Sequence, residues 1–180
     1  MSTLSHHGVK GMHWGVRNAE TLARYSRGSC PESHETTTKY GETLVLERNR
    51  GSKVFRGLQK VNKHIADEAS KTYNYDLKVG KKNVGSLQMY QEPNKEMNIV
   101  WGSVKKKYRQ KGYMTAAIAE GERIAKSLGN EKITGELVGN SPGGSIHKLA
   151  KNRGYVKKGE IRTEEVMATW GGLTLIEKKL

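Results

Sequence analysis

The chain has 180 residues, 34% of them hydrophobic, with 32 Lys and Arg against 18 Asp and Glu and a formal charge of +14. That length fits one domain, or one domain with an arm, and no stretch approaches the roughly 18 continuous apolar residues of a membrane span. The N-terminus lacks the apolar core of a signal peptide, so secretion by cleavage is not expected. The single Cys30 can form neither an internal disulfide nor a Cys-based metal site, which fits a reducing compartment.

Residues 1–40 hold 5 basic and 3 acidic side chains, so an excess of +12 sits on residues 41–180. Such an excess favours polyanions: nucleic acid, an acidic protein surface or a phosphorylated cofactor. An aromatic content of 7% without a base-stacking motif argues against nucleic acid.

The first 40 residues show no periodicity and are interrupted by Gly8, Gly11, Gly15 and Gly28, and Ser29–Lys39 reads as a linker. The division expected is an arm over 1–40 and a folded domain over 41–180. Within the domain, Thr43–Glu47 is a strand candidate. Lys53–Lys71 sets Val54, Leu58, Val61, Ile65 and Ala69 on one helical face. Tyr73–Val79 alternates as a half-buried strand, Gly80–Asn83 turns, and Val84–Tyr90 returns. Glu96–Val104 is apolar on both phases in its middle and is predicted to be a strand buried on two faces. Met114–Leu128 carries an apolar stripe that includes Gly121 and stops at Gly129. Lys132–Val138 follows as a strand, Ser145–Asn152 as a helix, and Tyr155–Arg162, Val166–Trp170 and Leu173–Ile176 as strands. This order predicts a mixed α/β (α+β) domain, a sheet flanked by helices.

The informative junction is Val104-Lys105-Lys106-Lys107-Tyr108-Arg109-Gln110-Lys111-Gly112-Tyr113-Met114-Thr115. A buried strand ends, a basic loop follows, and an amphipathic helix begins. Amides at a helix start lack intrahelical partners and lie at the positive end of the dipole. Turned into a crevice, they make an anion site that the neighbouring Lys and Arg strengthen.

This run resembles motif A of the GNAT superfamily of acyl-CoA-dependent N-acetyltransferases, Val-x-Pro-x-Tyr-Arg-Gly-x-Gly-x-Gly/Ala. Val104, Tyr108, Arg109 and Gly112 match, whereas Lys106, Gln110 and Met114 replace the Pro, the first Gly and the last Gly or Ala. Leu149-Ala150-Lys151-Asn152-Arg153-Gly154-Tyr155 is similar to the family's Leu-Tyr-x-x-x-Gly-Phe, and the resemblance runs from about Tyr73 to Ile176. It implies a central, mostly antiparallel mixed sheet of six or seven strands with three or four helices. It also implies acetyl-CoA as co-substrate, no metal, and a primary amine as acceptor: a protein lysine, an N-terminus or a small amine. The cofactor pyrophosphate would lie on the amides of Gln110, Lys111, Gly112, Tyr113 and Met114 with the Thr115 hydroxyl, beside Arg109. Ser103 and Val104 would bond the pantetheine arm through their main chain, and Asn140 would support its thiol end.

The family's Tyr acid is replaced by Ala150. His147, three residues earlier on the same helix, is a candidate acid or base, and Glu136 is the stronger candidate base; Glu96 and Tyr113 are weaker ones. The departures at Met114 and Ala150 keep a second reading open, a non-catalytic GNAT-like structural or interaction protein.

His6-His7-Gly8-Val9-Lys10-Gly11-Met12-His13-Trp14-Gly15-Val16-Arg17 offers three histidines without a completing carboxylate or Cys, so a metal site is not expected. Trp14 among glycines reads as an anchor for a partner's pocket. The element resembles one that recurs in proteins encoded by tailed bacteriophages. That implies a phage or prophage source, action in the host cytoplasm, and a virion structural protein as a partner for the arm.

Overall fold

The computed structural model describes residues 33–49, 51, 56, 59, 63–138 and 145–180. The readings made for Cys30, for the His6–Arg17 element, for Asn140 and for the first part of the Lys53–Lys71 helix fall outside the described residues.

Among the described residues eight strands, rather than the expected six or seven, form one sheet: β1 (Ser33–Thr37), β2 (Thr43–Arg48), β3 (Thr72–Val79), β4 (Lys82–Glu92), β5 (Glu96–Val104), β6 (Lys132–Val138), β7 (Val156–Ile161) and β8 (Leu173–Lys179). Their order is β1-β2-β3-β4-β5-β6-β8-β7. Every neighbouring pair is antiparallel except β5 and β6. The helices are α1 (Lys63–Lys71), α2 (Tyr113–Ser127), α3 (Ser145–Asn152) and α4 (Glu164–Trp170), with a 3₁₀ turn at Lys106–Tyr108.

Three expectations about single elements are corrected, those for Ser29–Lys39, for Val166–Trp170 and for the two-face burial of β5. The Ser29–Lys39 linker contributes β1, whose residues pair with β2 from Ser33↔Glu47 to Thr37↔Thr43. Its polar composition hid an edge strand that buries little beyond Thr36. Val166–Trp170 is helical. The Thr163 hydroxyl accepts from the Val166 amide, Glu164 and Glu165 suit the positive helix start, and Gly171 closes the end in left-handed conformation. Those end signals outweigh the strand-like alternation of Val166, Ala168 and Trp170.

Other expectations hold. Helix α2 ends at Gly129, where the amides of Gly129 and Asn130 bond the carbonyls of Lys126 and Ala125. A Cβ built on Gly121 would stand 3.0 Å from Met89 Sδ and 3.3 Å from Leu87 Cδ2, so a larger residue would require those side chains to shift for α2 to lie this close to β4. The core packs α2 against Leu44, Leu46, Leu77, Leu87, Met97 and Ile133. On the other face, Glu68 of α1 accepts the Tyr90 hydroxyl of β4 at 3.3 Å. Strand β5 departs from its predicted two-face burial: only Met97 is fully buried, because its second half lines open space.

Candidate functional site

Strands β5 and β6 run side by side only from Glu96↔Lys132 to Ile99↔Gly135. Beyond that point β5 continues to Val104 and β6 to Val138 with no ladder between them. A β-bulge marks the place: Gln88 of β4 faces Trp101 and Met89 faces Ile99, leaving Val100 as the extra residue. A bulge bends its strand and increases its twist, which here accompanies the opening of the sheet.

The direction of the main-chain groups on the opened edge follows from the ladder. Lys105 donates to the Val84 carbonyl at 2.9 Å, and hydrogen-bonded pairs alternate along an antiparallel ladder. Ser103 therefore points its amide and carbonyl at Ser86, while Gly102 and Val104 point theirs away from β4. Of the two residues expected to offer main-chain bonds, Val104 is turned outward; Gly102, which the sequence did not single out, is turned outward in place of Ser103. The Val104 carbonyl accepts from Arg109 Nε at 3.2 Å. Gly85 brings the two strands together: a Cβ there would lie 2.1 Å from the Ser103 carbonyl oxygen.

After β5 the basic run divides its work. Lys105 reaches back to the Asn83 carbonyl, and Lys107 lies over the Tyr108 ring at 4.9 Å. Gln110 has φ +66° and Gly112 has φ +77°. Both are left-handed, a conformation that costs a residue with a Cβ about 1–2 kcal/mol. Gln110 stands where the motif usually has glycine, and its φ supplies the physical reason for that preference. Gly112 is the N-cap of α2 and no side chain caps the helix start. Ala116 makes the first return bond, to the Gly112 carbonyl, so the amides of Tyr113, Met114 and Thr115 lack the i−4 partner that later turns have.

These amides border a groove of about 620 Å³ between the loop, α2 and α3. Arg109, Gln110, Gly112, Tyr113, Met114, Thr115 and Val104 line it, and Lys111 is exposed on the same loop but outside the lining. The structure adds Lys39, Lys148 and Asn152 to the wall. Among the described residues the lining holds three cations, Lys39, Arg109 and Lys148, and no carboxylate. Lys148 and Asn152 are four residues apart on α3, so a helical reading of that segment could have found them; Lys39 arrives only by the folding of the β1–β2 turn.

A second cavity of about 320 Å³ occupies the gap between β5 and β6. Met114, Ile146 and Leu149 line both spaces, so the groove leads into the gap. The Met114 thioether stands against Gly102, with Sδ 3.1 Å from where a Cβ would be. Glu136 is half-buried and, among the described residues, is the one charged side chain in the lining of the gap. His147 is half-buried on α3 but outside the lining of both cavities, although Ile146 and Lys148 beside it are in them. Ala150 is buried against the gap.

The weaker candidates are engaged elsewhere. The Tyr113 hydroxyl donates to Glu42 at 2.8 Å, and burial, reinforced by Glu42, pushes its pKa up. Glu96 pairs with Lys132 at the closed end of β5. Behind the gap, Arg153 donates to both oxygens of Glu122 at 2.9 and 2.6 Å, and Lys178 adds a third bond at 2.7 Å. Burial alone would raise the Glu122 carboxyl, but these bonds outweigh it and hold it below the usual carboxylate range. Tyr155 also lines the gap, and burial, then the charge of Glu122, pushes its hydroxyl far up. Among the described residues no group of three or more His, Cys, Asp or Glu could hold a metal, and no helix is long and apolar enough to cross a membrane.

Residues 42–155 match the Acetyltransferase (GNAT) family. Residues 1–21 match a family described only as of unknown function, DUF7211. Among solved structures, RimJ of Mycobacterium smegmatis in complex with CoA-disulfide has a TM-score of 0.61 at 14% identity, over 82% of this chain and 86% of that one. An IAA acetyltransferase from Bacillus cereus has a TM-score of 0.58 at 17% identity, over 76% and 99%. A GNAT family acetyltransferase from Elizabethkingia anophelis with acetyl-CoA bound has 0.57 at 14%, over 76% and 98%. No curated protein sequence matches the chain.

Proposed function

The chain belongs to the acetyltransferase (GNAT) family, and on that premise we propose that it transfers an acetyl group directly from acetyl-CoA to a primary amine. The observation that carries this is the continuity of a cationic groove at an uncapped helix start with a gap in the sheet that is lined by the Glu136 carboxylate. Such a shape suits a phosphorylated cofactor whose reactive end must reach a dry cleft, at the carboxyl ends of the two parallel strands. That several neighbours are bound to CoA or acetyl-CoA supports the choice of cofactor.

In this reading the amides of Gln110 through Met114 and the Thr115 hydroxyl hold the pyrophosphate, with Lys39, Arg109 and Lys148 balancing its charge. The outward main-chain groups of Val104 bond the pantetheine arm. The outward amide of Gly102 faces the carbonyl oxygen and stabilises the charge that develops on it. Acetyl-CoA supplies the activated thioester. An amine with a pKa of about 10.4 is neutral in only about one part in 10³ near pH 7, so Glu136 takes its proton, directly or through a water. The C–N bond then forms, the C–S bond breaks as the nitrogen releases its second proton, and the departing thiolate takes up a proton, so that amide and thiol are the products. With Ala150 in place of a tyrosine acid, that last proton has no dedicated donor at the usual position.

Calorimetric titration with acetyl-CoA tests the proposal. Binding that is lost in Gly112→Glu supports it, and no binding by the unaltered chain overturns it. Ala150 favours a second reading, a binding domain without turnover. Thiol release across an amine panel separates the two. The His6–Arg17 element supports a phage or prophage source, with the arm on a virion component; mass spectrometry of purified particles would reveal the chain there.

A further inference from the structure

The cations of the chain are not distributed alike. Over much of the described surface they sit beside carboxylates, as Lys78 does with Glu47, Lys95 with Glu131, Lys132 with Glu96 and Lys158 with Glu177. Two segments differ. The turn at 80–83 carries Lys81 and Lys82, and the loop at 105–112 carries Lys105, Lys106, Lys107 and Lys111. All six are exposed, and neither segment contains an acidic residue. Strand β3 ends, β4 begins and β5 ends at the same edge of the sheet, so the two segments are neighbours. Lys105 ties them together: its amide donates to the Val84 carbonyl at 2.9 Å and its Nζ to the Asn83 carbonyl at 2.7 Å. The carboxylates of the adjoining hairpin are taken up, Glu47 by Lys78 and Glu42 by the Tyr113 hydroxyl. Glu164 and Glu165 also lie at this end, but at the start of α4, beyond β6 and β8 on the other side of the gap.

We propose that this rim binds the phosphate backbone of a nucleic-acid duplex, by charge and without reading base sequence. None of the six lysines lines the groove or the gap, so the cofactor reading leaves them without a role. The proposal stands whether or not the chain transfers acetyl groups. Neighbouring strands lie about 4.8 Å apart, so β3 to β5 span about 10 Å of sheet edge, a length over which a duplex carries about six charges. Lysine ammoniums act on phosphates as point charges, whereas bidentate recognition calls for the guanidinium fork. An acidic protein partner fits less well. A protein interface centres on apolar and aromatic side chains, and no large hydrophobic side chain is exposed in either segment. The low aromatic content that argues against a stacked single strand does not bear on a duplex, whose bases stay stacked on one another.

The test is fluorescence anisotropy of the full chain with short labelled DNA and RNA duplexes of mixed sequence, over a series of salt concentrations. Binding of either duplex is expected, and the tighter of the two identifies the source of the backbone. The logarithm of affinity should fall against the logarithm of salt with a slope of about −5, as six contacts require. Lys81→Gln with Lys82→Gln, and separately Lys106→Gln with Lys107→Gln, should each weaken binding at least about tenfold at low salt and make the slope shallower by about 2. Lys126→Gln with Lys151→Gln removes the same charge from exposed positions at the far ends of α2 and α3. That pair should change affinity less than about twofold, since charges a Debye length or more away are screened. An unchanged melting temperature shows that each variant is folded. Equal weakening by all three pairs would reduce the effect to net charge and overturn the proposal. So would polyglutamate bound as tightly as the duplexes, full release of the duplex by saturating coenzyme A, or no binding of either duplex.

Discussion

The two halves of β5 make the same antiparallel ladder with β4 but meet different neighbours on the other side. Glu96–Ile99 is also held by β6 in parallel register, so its main-chain groups are engaged on both edges. Past the bulge at Val100, β6 has moved away, and Gly102 and Val104 turn their main-chain groups away from β4, with Arg109 Nε meeting the Val104 carbonyl. In a sheet interior an unengaged main-chain edge is unfavourable unless water or a ligand meets it. One strand thus serves as core at one end and as binding edge at the other. Its second half retains order because β4 and α2 pack on it, with Gly85 and Gly102 permitting the close approach.

That contrast can be broken at four places. Gly112→Glu sets a long, anionic side chain at φ +77° beside the uncapped helix start. Acetyl-CoA affinity measured by calorimetry should fall at least about 10³-fold, which is about 4 kcal/mol. Glu122→Ala acts behind the gap by leaving Arg153 and Lys178 to face each other without their shared carboxylate. Denaturant unfolding should show a loss of about 3 kcal/mol, the low end for a broken buried pair, because both cations keep partial contact with water. The same pair has a pH signature. A carboxyl held below its ordinary value stabilises the fold above about pH 4.5 and loses that contribution as pH falls through the depressed value. Melting temperature should therefore drop more steeply in acid for the unaltered chain than for Glu122→Gln.

Glu136→Gln leaves the groove intact and removes the proposed base. Turnover at neutral pH should fall about 10²-fold or more, with acetyl-CoA affinity unchanged; an equal loss of both would place Glu136 in cofactor binding instead. Gln110→Gly should give the smallest change. Relief of a left-handed conformation raises stability by about 1 kcal/mol, and thermal melts are the readout, with affinity held.

Much of the fold was legible because periodicity survives in a linear reading. Helix α2 announces itself by its stripe and its Gly129 stop, and β3 and β4 by alternation across a Gly-Lys-Lys turn. Strand β1 was not legible, since an edge strand of Ser, His, Glu and Thr needs its partner to be recognised. Helix α4 was misread because five residues fit either period and only the cap at Thr163 decides between them. In the site, the loop from Arg109 to Thr115 was readable as one contiguous piece. Lys39 and the outward turn of Gly102 were not, because the first comes from a distant turn and the second depends on ladder phase.

The sequence by itself determined the order of elements from β2 to β7, the location of the basic loop and the glycine that starts α2, since each of these is set by neighbours within a few residues. Tertiary structure alone decided that β5 and β6 part after Ile99, that the loop faces α3 across a groove, and that Glu136, Trp101 and Trp170 share one cavity. These depend on register, twist and the packing of segments distant in the chain, quantities that no local stretch of residues carries.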